Sequence, residues 1–283
     1  MGNKYKEGLS PEEKEKRLKG LLRGCGSVVV AFSGGADSSY LLYIAQLVLK
    51  DKVLAVTAQS SLYPQHHLKR AKDFTHRYGI AHTVIATNEL ASTQFRSNPP
   101  SRCYYCKIEL FTRLKEIAAE KGYNVVVDGS NLDDTSDFRP GLKAAQELKV
   151  LSPLIDVGII KDEVRYLSRK AGLPTWNFPS SACLASRFPY HTTITGEKLK
   201  AVNQGEDFLR KLGFQQVRVR HHGDVARIEV LSSEIPRFLA SHVVEKVVKK
   251  LKSLGYKYIT LDLQGYRTGS MNEVLKTSSK EIP

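Results

Sequence analysis

The stretch from residue 27 to residue 45, SVVVAFSGGADSSYLLYIA, constrains the fold of this chain most strongly. It begins with a short apolar, β-branched run, which is typical of a strand covered on both faces. The glycine turn Ser33-Gly34-Gly35 follows, and a helix then opens with Asp37, Ser38 and Ser39. Backbone N–H groups of such a turn point into a concavity, and the helix N-terminus adds partial positive charge. The segment therefore predicts a phosphate site, although it lacks the lysine and the spacing of the GxxxxGK[ST] loop.

Strands alternate with helices through the first part of the chain. We predict strands at residues 28–32, 53–57, 82–86 and 125–128, and helices at 11–23, 38–50, 65–78, 105–121, 143–147 and 160–171. This alternation implies right-handed crossovers and a doubly wound parallel sheet of the α/β class. Sites in such sheets lie beyond the carboxyl ends of the strands, so the glycine turn and the loop after Val127 should face one crevice.

The pattern changes after a stretch with three prolines and no clear periodicity, residues 172–190, which we interpret as a linker and active-site loop. Helices are predicted at 197–212, 233–240 and 241–254, an antiparallel strand pair at 216–221 and 225–231, and a last strand at 258–263. A polar tail covers 265–283. We therefore predict two domains, residues 1–178 and a smaller α+β domain of residues 179–283.

The charge of the chain favours anionic partners. Lysine and arginine number 43 against 29 acidic residues, a net charge of +14, which suits nucleotides, phosphorylated small molecules or nucleic acid. The chain has no apolar run long enough to cross a bilayer, and its N-terminus lacks the apolar region of a signal peptide. We expect a cytoplasmic protein that does not bind membranes.

Four cysteines stand at positions 25, 103, 106 and 183. In a cytoplasmic chain they are poor candidates for disulfides. Cys103 and Cys106 form CYYC, which is compatible with an incidental pair at a helix start, a zinc half-site completed by residues such as His191, or a redox pair. Cys183 lies among small residues and precedes Arg187, a setting that suits either a reactive thiolate or a buried structural cysteine.

An acidic loop follows the predicted strand at 125–128. Asp133 and Asp134 are neighbouring carboxylates beside the predicted phosphate site, and oxygen ligands of this kind suit Mg²⁺. An Asx-rich turn is the alternative interpretation of the same composition. Arg139 follows closely and could neutralise a phosphate with its two-pronged guanidinium group.

The order of SGGADSS, GSNLDD, DFRPG, GLPTW, ACLASRFPY and QVRVRHHGDVARIEV resembles the LarE family of ATP-dependent sulfur transferases, from about residue 18 to about residue 262. SGGxDS after a strand also resembles the PP-loop of the ATP pyrophosphatases, whose domain has the adenine nucleotide alpha hydrolase-like fold. The resemblance implies an enzyme of nickel-pincer nucleotide cofactor biosynthesis. Such an enzyme adenylates the carboxylates of pyridinium-3,5-biscarboxylic acid mononucleotide, releases pyrophosphate, and converts them to thiocarboxylates.

The resemblance also implies roles for individual residues. It makes the first domain the ATP-binding PP-loop domain and the second the substrate and sulfur-transfer domain. The residues expected to bind ATP, together with Mg²⁺, are Ser33, Gly34, Gly35, Asp37, Ser38, Ser39, Gly129 and Asn131. The residues expected to bind the mononucleotide are Arg139, Arg187, Glu206, Arg218 and Arg220, among which Arg218 and Arg220 alternate on one strand and so share a face.

Two branches of the family deliver sulfur differently. In one branch three cysteines hold a [4Fe–4S] cluster whose open iron passes on sulfide from inorganic sulfide or another donor. The CYYC pair makes this chain resemble that branch, with Cys103, Cys106 and Cys183 as catalytic cluster ligands. In the other branch the residue matching Cys183 gives up its own sulfur and becomes dehydroalanine.

Two rival functions also belong to PP-loop enzymes. A PP-loop tRNA thiolation enzyme is permitted by the charge, but no appended RNA-binding module or zinc-ribbon cysteines are recognisable, and an amidating PP-loop enzyme would need an ammonia source. We expect a small-molecule substrate, no nucleic acid, and a homo-oligomer.

The family has a lysine before the Pro-Ser of its cysteine loop, whereas this chain has Phe178. If that lysine neutralises phosphate, another residue must do so here.

Overall fold

The computed structural model describes residues 8–136, 139–178, 182–267 and 269–270. The chain divides into two compact units, one formed by Met1–Glu89 and Ser101–Ser181 and the other by Leu90–Pro100 and Ala182–Pro283. Contacts thus assign the segment Leu90–Pro100 to the second unit, although the sequence placed it in the first domain. The predicted division into domains of separate function stays a prediction.

Eleven α-helices lie within the described residues: α1 (Pro11–Cys25), α2 (Ala36–Leu49), α3 (Gln65–Arg77), α4 (Thr93–Arg96), α5 (Arg102–Glu120), α6 (Pro140–Glu147), α7 (Pro153–Asp156), α8 (Lys161–Lys170), α9 (Gly196–Lys211), α10 (Ile235–Phe238) and α11 (Ser241–Ser253). Within those residues no helix is both long and apolar enough to cross a membrane.

The first unit is built on a four-stranded parallel sheet. Its strands are β1 (Val28–Ala31), β2 (Val53–Gln59), β3 (Ala81–Ala86) and β4 (Val125–Asp128), in the order β3-β2-β1-β4. Val28 and Val30 pack into one apolar cluster with α1, α2 and α8, while Val29 packs into another with α5 and α6. Helices therefore cover both faces, and the predicted α/β sheet is confirmed.

The second unit contains a three-stranded sheet of β5 (Arg218–His222), β6 (Val225–Glu229) and β7 (Tyr258–Leu261), in that order. β5 and β6 are antiparallel, as predicted, and β7 runs parallel to β6. Val219, Ile228 and Val247 belong to a core shared with α9, α10 and α11. This small sheet with its helices is the α+β arrangement that the sequence predicted.

Several element boundaries differ from the prediction. No helix or strand was predicted between residues 86 and 105, but α4 lies there, and its Ser92 cap accepts a hydrogen bond from the Phe95 N–H at 3.2 Å. Helix α5 begins at Arg102, three residues early, so both cysteines of CYYC lie inside it. Helix α7 was not predicted, since a four-residue helix carries no measurable periodicity. The predicted last strand ends at Leu261, where Asp262 accepts the Gln264 N–H at 3.0 Å. Residues 271–283 of the predicted tail lie outside the described residues.

Candidate active site

The glycine turn after β1 is held by a pair of serine hydroxyls. Ser33 Oγ and Ser38 Oγ lie 3.0 Å apart, and Ser38 Oγ donates to the Gly35 carbonyl at 3.3 Å. The Gly35 N–H in turn donates to Ser33 Oγ at 3.3 Å, and α2 begins at Ala36 with Gly35 as its cap. The side chains of the SGGADSS motif therefore fix the turn against the first turn of α2, as a preformed phosphate cradle requires.

Two glycines permit close backbone approaches around this turn. Gly34 has φ of 73°, and a methyl group there would also lie 3.3 Å from the backbone nitrogen of Ala71 in α3. A methyl group on Gly129 would lie 2.9 Å from the backbone nitrogen and Cα of Ser38. The loop after β4 therefore packs directly on the start of α2. The two predicted ATP-binding segments lie side by side in the first unit, as the strand-exit argument predicted.

Asp37 and Lys161 form an ion pair beside the turn. Lys161 Nζ donates to Asp37 Oδ2, and both side chains are about three-quarters buried. Among the described residues, Asp37 Oδ1 and Ser39 Oγ are buried and have no hydrogen-bond partner. These two orphaned oxygens lie in the first turn of α2, where a bound phosphate, cation or water would satisfy them.

The acidic loop after β4 uses its carboxylates as caps. Asn131 Oδ1 accepts from the Asp133 N–H at 3.0 Å, and Asp134 Oδ2 accepts from the Asn131 N–H at 3.1 Å. Asp133 Oδ2 accepts the first N–H of α8, that of Lys161, at 2.8 Å. Asp134 also pairs with Arg139 at 3.0 Å. The arrangement contains the Asx-type turn that was the alternative interpretation, and Mg²⁺ binding by Asp133 and Asp134 stays a prediction.

Burial and neighbouring charges act in opposite directions on Asp134. Partial burial raises the pKa of its carboxyl, Arg139 lowers it, and Asp37 adds to the rise. The net shift is upward, so a cation bound beside this loop would relieve an existing electrostatic cost.

The CYYC pair lies in the first two turns of α5. Cys103 is exposed and Cys106 is half-buried, and their spacing of three residues places them on one helix face. A methyl group on Gly141, in α6, would lie 3.7 Å from the Cys103 carbonyl and 3.0 Å from Cγ of Lys107. The pair therefore belongs to the first unit, where α5 packs against α6.

Cys183 belongs to the second unit, at the start of the 3₁₀ turn Leu184–Arg187. Its side chain is half-buried. Its carbonyl accepts hydrogen bonds from the Ser186 N–H at 3.1 Å, from Ser186 Oγ at 2.8 Å and from Arg187 Nη1 at 3.1 Å. Arg187 Nη1 also donates to the Ala182 carbonyl at 3.0 Å. The backbone of the cysteine loop is thus held by a buried guanidinium group.

Glu206 on α9 neutralises that guanidinium group. Arg187 Nε donates to Glu206 Oε1 at 2.7 Å and Nη2 donates to Oε2 at 3.0 Å, with Arg187 2% exposed and Glu206 fully buried. Glu206 also accepts from Arg210 at 2.7 Å and from the Val219 N–H at 3.2 Å. Burial alone would raise the pKa of Glu206, but Arg187, Arg218 and Arg210 together lower it to about 2. The pair is therefore fully ionised near neutral pH.

Strand β5 contributes two more buried arginines. Arg220 donates to both carboxylate oxygens of Glu229 at 2.9 and 2.7 Å, and to the Ser186 carbonyl at 2.9 Å. The Arg218 guanidinium lies 4.9 Å from the centre of the Tyr266 ring. Burial, followed by the positive charge of Arg187, lowers the pKa of Arg218 to about 10. Neither arginine lies on a solvent-facing strand, and an anion beside Arg218 would relieve the repulsion from Arg187.

The predicted site residues thus form one group in each unit. The turn after β1, Gly129, Asn131, Asp133, Asp134 and Arg139 are in the first unit with Cys103 and Cys106, whereas the second contains Cys183, Arg187, Glu206, Arg218 and Arg220. Across the residues that the structure describes, no three His, Cys, Asp or Glu side chains are grouped so that they could hold a metal ion. The predicted three-cysteine ligand set is therefore not supported.

Two charged residues of these groups were missed by the sequence analysis. Lys161 occupies the first position of α8, where its positive charge interacts unfavourably with the helix dipole. That unfavourable position in the sequence could have indicated that Lys161 pairs with an acidic residue. Glu229 gave no comparable signal, because an acidic residue in an alternating strand is expected to face solvent. Its full burial, in an ion pair with Arg220, follows from tertiary packing alone.

Comparison with known proteins gives two levels of similarity. A sequence model of the NAD synthase family matches residues 13–114, which include the glycine turn and CYYC. The B subunit of a glutamine-hydrolysing GMP synthase from Thermoplasma volcanium is 26% identical over 176 residues, 56% of this chain and 56% of that protein. These similarities cover part of the chain and agree with an ATP-using PP-loop domain.

Two relatives match almost the whole chain. An uncharacterised protein of Synechocystis is 42% identical over 265 residues, 93% of this chain and 98% of that protein. The pyridinium-3,5-bisthiocarboxylic acid mononucleotide synthase of Lactiplantibacillus plantarum is 40% identical over 263 residues, 93% of this chain and 95% of the synthase. Similarity of this extent includes both units and the segments of both residue groups. The chain therefore belongs to the LarE family of ATP-dependent sulfur transferases, enzymes built on a PP-loop domain.

Proposed function

We propose that the protein uses ATP to convert the carboxylates of pyridinium-3,5-biscarboxylic acid mononucleotide to thiocarboxylates, a step of nickel-pincer nucleotide cofactor biosynthesis. The observation that carries this proposal is the 40% identity, over almost the whole of both chains, to a synthase whose name specifies the bisthiocarboxylic product. The hydroxyl-braced glycine turn and the buried arginines around Cys183 support it, because they suit a polyphosphate and an anionic mononucleotide respectively.

The first step is adenylation, since a carboxylate oxygen is a poor leaving group. A substrate carboxylate oxygen attacks the α-phosphorus of ATP, the bond from that phosphorus to the bridging oxygen of the β-phosphate breaks, and pyrophosphate leaves. In our proposal the N–H groups of residues 33–39 hold the phosphates. We assign Gly129 and Asn131 to the same site, because the loop that contains them packs on the start of α2 at Gly129.

Mg²⁺ would neutralise phosphate charge at this step. The donors present fit the ion: Asp133 and Asp134 supply carboxylates, and Asp37 Oδ1 is a buried oxygen without a partner among the described residues. Lys161, which pairs with Asp37 beside the glycine turn, then stabilises the negative charge of the departing pyrophosphate.

The second step exchanges oxygen for sulfur. A sulfur nucleophile attacks the acyl carbon, the carbon–oxygen bond to the phosphate breaks, and AMP leaves with that oxygen. We assign Arg218 to the mononucleotide anion, because burial and then the positive charge of Arg187 lower its pKa to about 10, so that a bound anion would stabilise its charged form. Arg187, Arg220 and Glu206 shape the same region through their ion pairs, and substrate binding by Arg139 stays a prediction from the sequence.

Two routes can supply the sulfur. If Cys183 is the donor, its thiolate forms a thioester, loss of the Cα proton breaks the Cβ–S bond, and thiocarboxylate and dehydroalanine result. The alternative, a [4Fe–4S] cluster on Cys103, Cys106 and Cys183 that delivers external sulfide, stays our prediction from the sequence. The described residues do not group three such ligands, and we derive no step through a cluster.

Anaerobic iron and acid-labile sulfide content after reconstitution separates the two routes. About four irons per chain in the wild type, lost in Cys103→Ala, would establish the cluster. Absence of iron from both proteins would refute it. In that case mass spectrometry of Cys183 after reaction should detect dehydroalanine.

Pyrophosphate exchange into ATP tests the function itself. We expect exchange that depends on the pyridinium biscarboxylate mononucleotide, followed by a thiocarboxylate product once a sulfur source is present. Nicotinic acid mononucleotide, which has one carboxylate fewer, serves as the matched control substrate. Equal exchange without the biscarboxylate, or a response only to tRNA, would refute the proposal. The cytoplasmic location and the homo-oligomeric state stay predictions.

A further inference from the structure

A half-buried histidine of the first unit has no place in the function proposed so far. His82 is on β3, and its Nε2 lies 2.8 Å from Oγ1 of Thr57 on β2. Thr57 is 5% exposed, and its hydroxyl donates to the Phe32 carbonyl at 2.8 Å. A chain of two hydrogen bonds therefore joins the His82 ring to the backbone of Phe32, the residue that directly precedes the glycine turn.

These hydrogen bonds assign the tautomer of His82. A threonine hydroxyl has one hydrogen, and a carbonyl oxygen can only accept. The hydrogen of Thr57 is therefore directed at Phe32, and His82 must donate to Thr57 from a protonated Nε2. Burial, followed by the positive charge of Lys72, lowers the pKa of His82. The ring is consequently mostly neutral at about pH 7, and Nδ1 carries no proton.

Thr75 on α3 holds the opposite side of the ring. Its Oγ1 lies 3.2 Å from Nδ1 of His82, which in this tautomer can only accept. Thr75 is 3% exposed, and it shares its hydroxyl hydrogen with the Ala71 carbonyl at 3.0 Å. The Phe32 ring packs against the imidazole edge-on, with 6.1 Å between the ring centres. The orientation of the His82 ring is thus fixed by its neighbours, as a supporting residue of a functional site requires.

Phe32 is the residue at which the chain passes from β1 into the turn. Its N–H donates to the Val56 carbonyl at 2.9 Å and its carbonyl accepts from the Thr57 side chain, so both backbone polar groups are bound to β2. That carbonyl and the Ser33 N–H belong to one planar peptide group. Fixing the carbonyl therefore fixes the direction of the first N–H of the turn, which donates to Ser38 Oγ at 3.4 Å.

We propose that His82 is a positioning residue for ATP: through the Thr57 hydroxyl it orients the peptide between Phe32 and Ser33, and so aligns the glycine turn with the phosphates. This inference rests on the proposed ATP-dependent function and adds a supporting residue to its phosphate site. His82 neither contacts the nucleotide nor transfers a proton, so its effect is on the affinity of the turn for phosphate groups.

Pyrophosphate exchange by the full-length protein tests the inference. Thr57→Val keeps the shape of the side chain and removes the hydroxyl, so KM for MgATP should rise about fivefold, equivalent to about 1 kcal/mol. The turn holds the phosphates before and during the reaction, so kcat at saturating MgATP should stay within about twofold of the wild type. Thr57→Ser restores the hydroxyl and should return KM to within about twofold of the wild type.

Thr83→Val is the matched control. Thr83 follows His82 on β3, and alternation along a strand places its side chain on the opposite face of the sheet. The substitution makes the same chemical change without altering the chain of hydrogen bonds to Phe32, so KM and kcat should equal those of the wild type. Urea unfolding of each variant separates a loss of stability, which a merely structural threonine would also cause, from the rise in KM.

Variants of the histidine test whether it acts through Thr57. His82→Leu removes the donor and should raise KM for MgATP about fourfold, whereas His82→Gln can donate to Thr57 from its amide nitrogen and should stay within about twofold of the wild type. The double variant Thr57→Val with His82→Leu should have the KM of Thr57→Val alone, because the two residues form one chain.

NMR of protein labelled with ¹⁵N-histidine supplies a spectroscopic readout. The ring signals that His82→Gln removes should be those of a neutral ring protonated at Nε2 at about pH 7. A ring protonated at Nδ1 alone would overturn the inference, as would a KM of Thr57→Val equal to that of Thr83→Val or additive losses in the double variant. A wild type without ATP-dependent pyrophosphate exchange would instead refute the proposed function, and the inference with it.

Discussion

Replacing Glu206 by glutamine tests how the cysteine loop is held. Glutamine keeps the shape of the side chain and removes its charge, so Arg187 remains buried with its positive charge uncompensated. Two hydrogen bonds from Arg187 at 2.7 and 3.0 Å and one from Arg210 at 2.7 Å lose their ionic partner. The Val219 N–H, which donates to the same carboxylate, can still donate to the amide oxygen.

The magnitude follows from two separate considerations. The pKa of Glu206 falls from the ordinary 4.5 to about 2 in the folded protein, and at 1.36 kcal/mol per pKa unit this difference corresponds to about 3 kcal/mol. Removing one partner of a buried ion pair typically costs about 3–5 kcal/mol, because the other charge stays buried. We therefore expect Glu206→Gln to lower the free energy of unfolding by about 3–5 kcal/mol near neutral pH.

The pH dependence has a definite sign. The folded-state pKa of Glu206 lies below its unfolded-state value, so the stabilisation is fully present above about pH 4.5 and declines as the pH falls towards about 2. Over that window wild-type Glu206 becomes protonated on unfolding and loses its advantage over glutamine. The difference in stability between wild type and variant should consequently shrink on going from about pH 5 to about pH 3.

Urea unfolding followed by circular dichroism measures both effects. Glu197→Gln is the matched control, since Glu197 is an exposed glutamate in the first turn of the same helix and should cost no more than about 1 kcal/mol through the helix dipole. Amide exchange at Val219 gives a local measure of loosening beside Glu206. A Glu206→Gln protein as stable as Glu197→Gln, or a stability difference that does not change with pH, would refute the reasoning.

Three further substitutions have expected outcomes. Lys161→Met leaves Asp37 without its partner and removes a cation from the glycine turn, so KM for ATP should rise about tenfold; an unchanged KM in pyrophosphate exchange would contradict this. Gly129→Ala should destabilise by about 1–3 kcal/mol in urea, because its methyl group would lie 2.9 Å from the backbone of Ser38. Gly20→Ala, at an open position of α1, should instead stabilise by up to about 1 kcal/mol, and equal signs for the two glycines would count against the packing argument.

The parts of the fold that the sequence predicted are those with strong local signals. β1 and β4 each begin with three consecutive valines, and such runs occur where helices cover both faces of a sheet. The antiparallel pairing of β5 with β6 was predicted from the alternating residues at 216–221, and in the structure Arg220 lies opposite Arg227. Helix α4 could not be predicted, because its four residues form a single turn capped by Ser92 and a pattern needs several turns to be visible.

The sequence was sufficient to predict which residue types form the site, but not which of them form ion pairs and hydrogen bonds with one another. Arg218 and Arg220 do share a face, as their spacing requires, but no sequence pattern indicated that Glu229 lies against Arg220 or that both are buried. Likewise, Asp133 and Asp134 are where the motif predicted, yet their hydrogen bonds to backbone N–H groups depend on where α8 begins. Ion pairs between elements distant in sequence are set by packing, which a single sequence does not specify.

The hydrogen bonds and ion pairs of the buried arginines decide how a loss of enzyme activity in their variants is interpreted. Arg187 donates to the carbonyls of Ala182 and Cys183, and Arg220 donates to that of Ser186, so both hold the backbone around Cys183. Removing either would displace Cys183 even if neither touches the substrate. Arg218 differs, because its guanidinium lies over the Tyr266 ring. It is also repelled by the positive charge of Arg187, and a bound anion would relieve that repulsion. A rise in KM for the mononucleotide with kcat retained is therefore expected at Arg218 alone, whereas Arg187 and Arg220 should lose kcat, since displacing a reacting group by about 1 Å can cost about a hundredfold in rate.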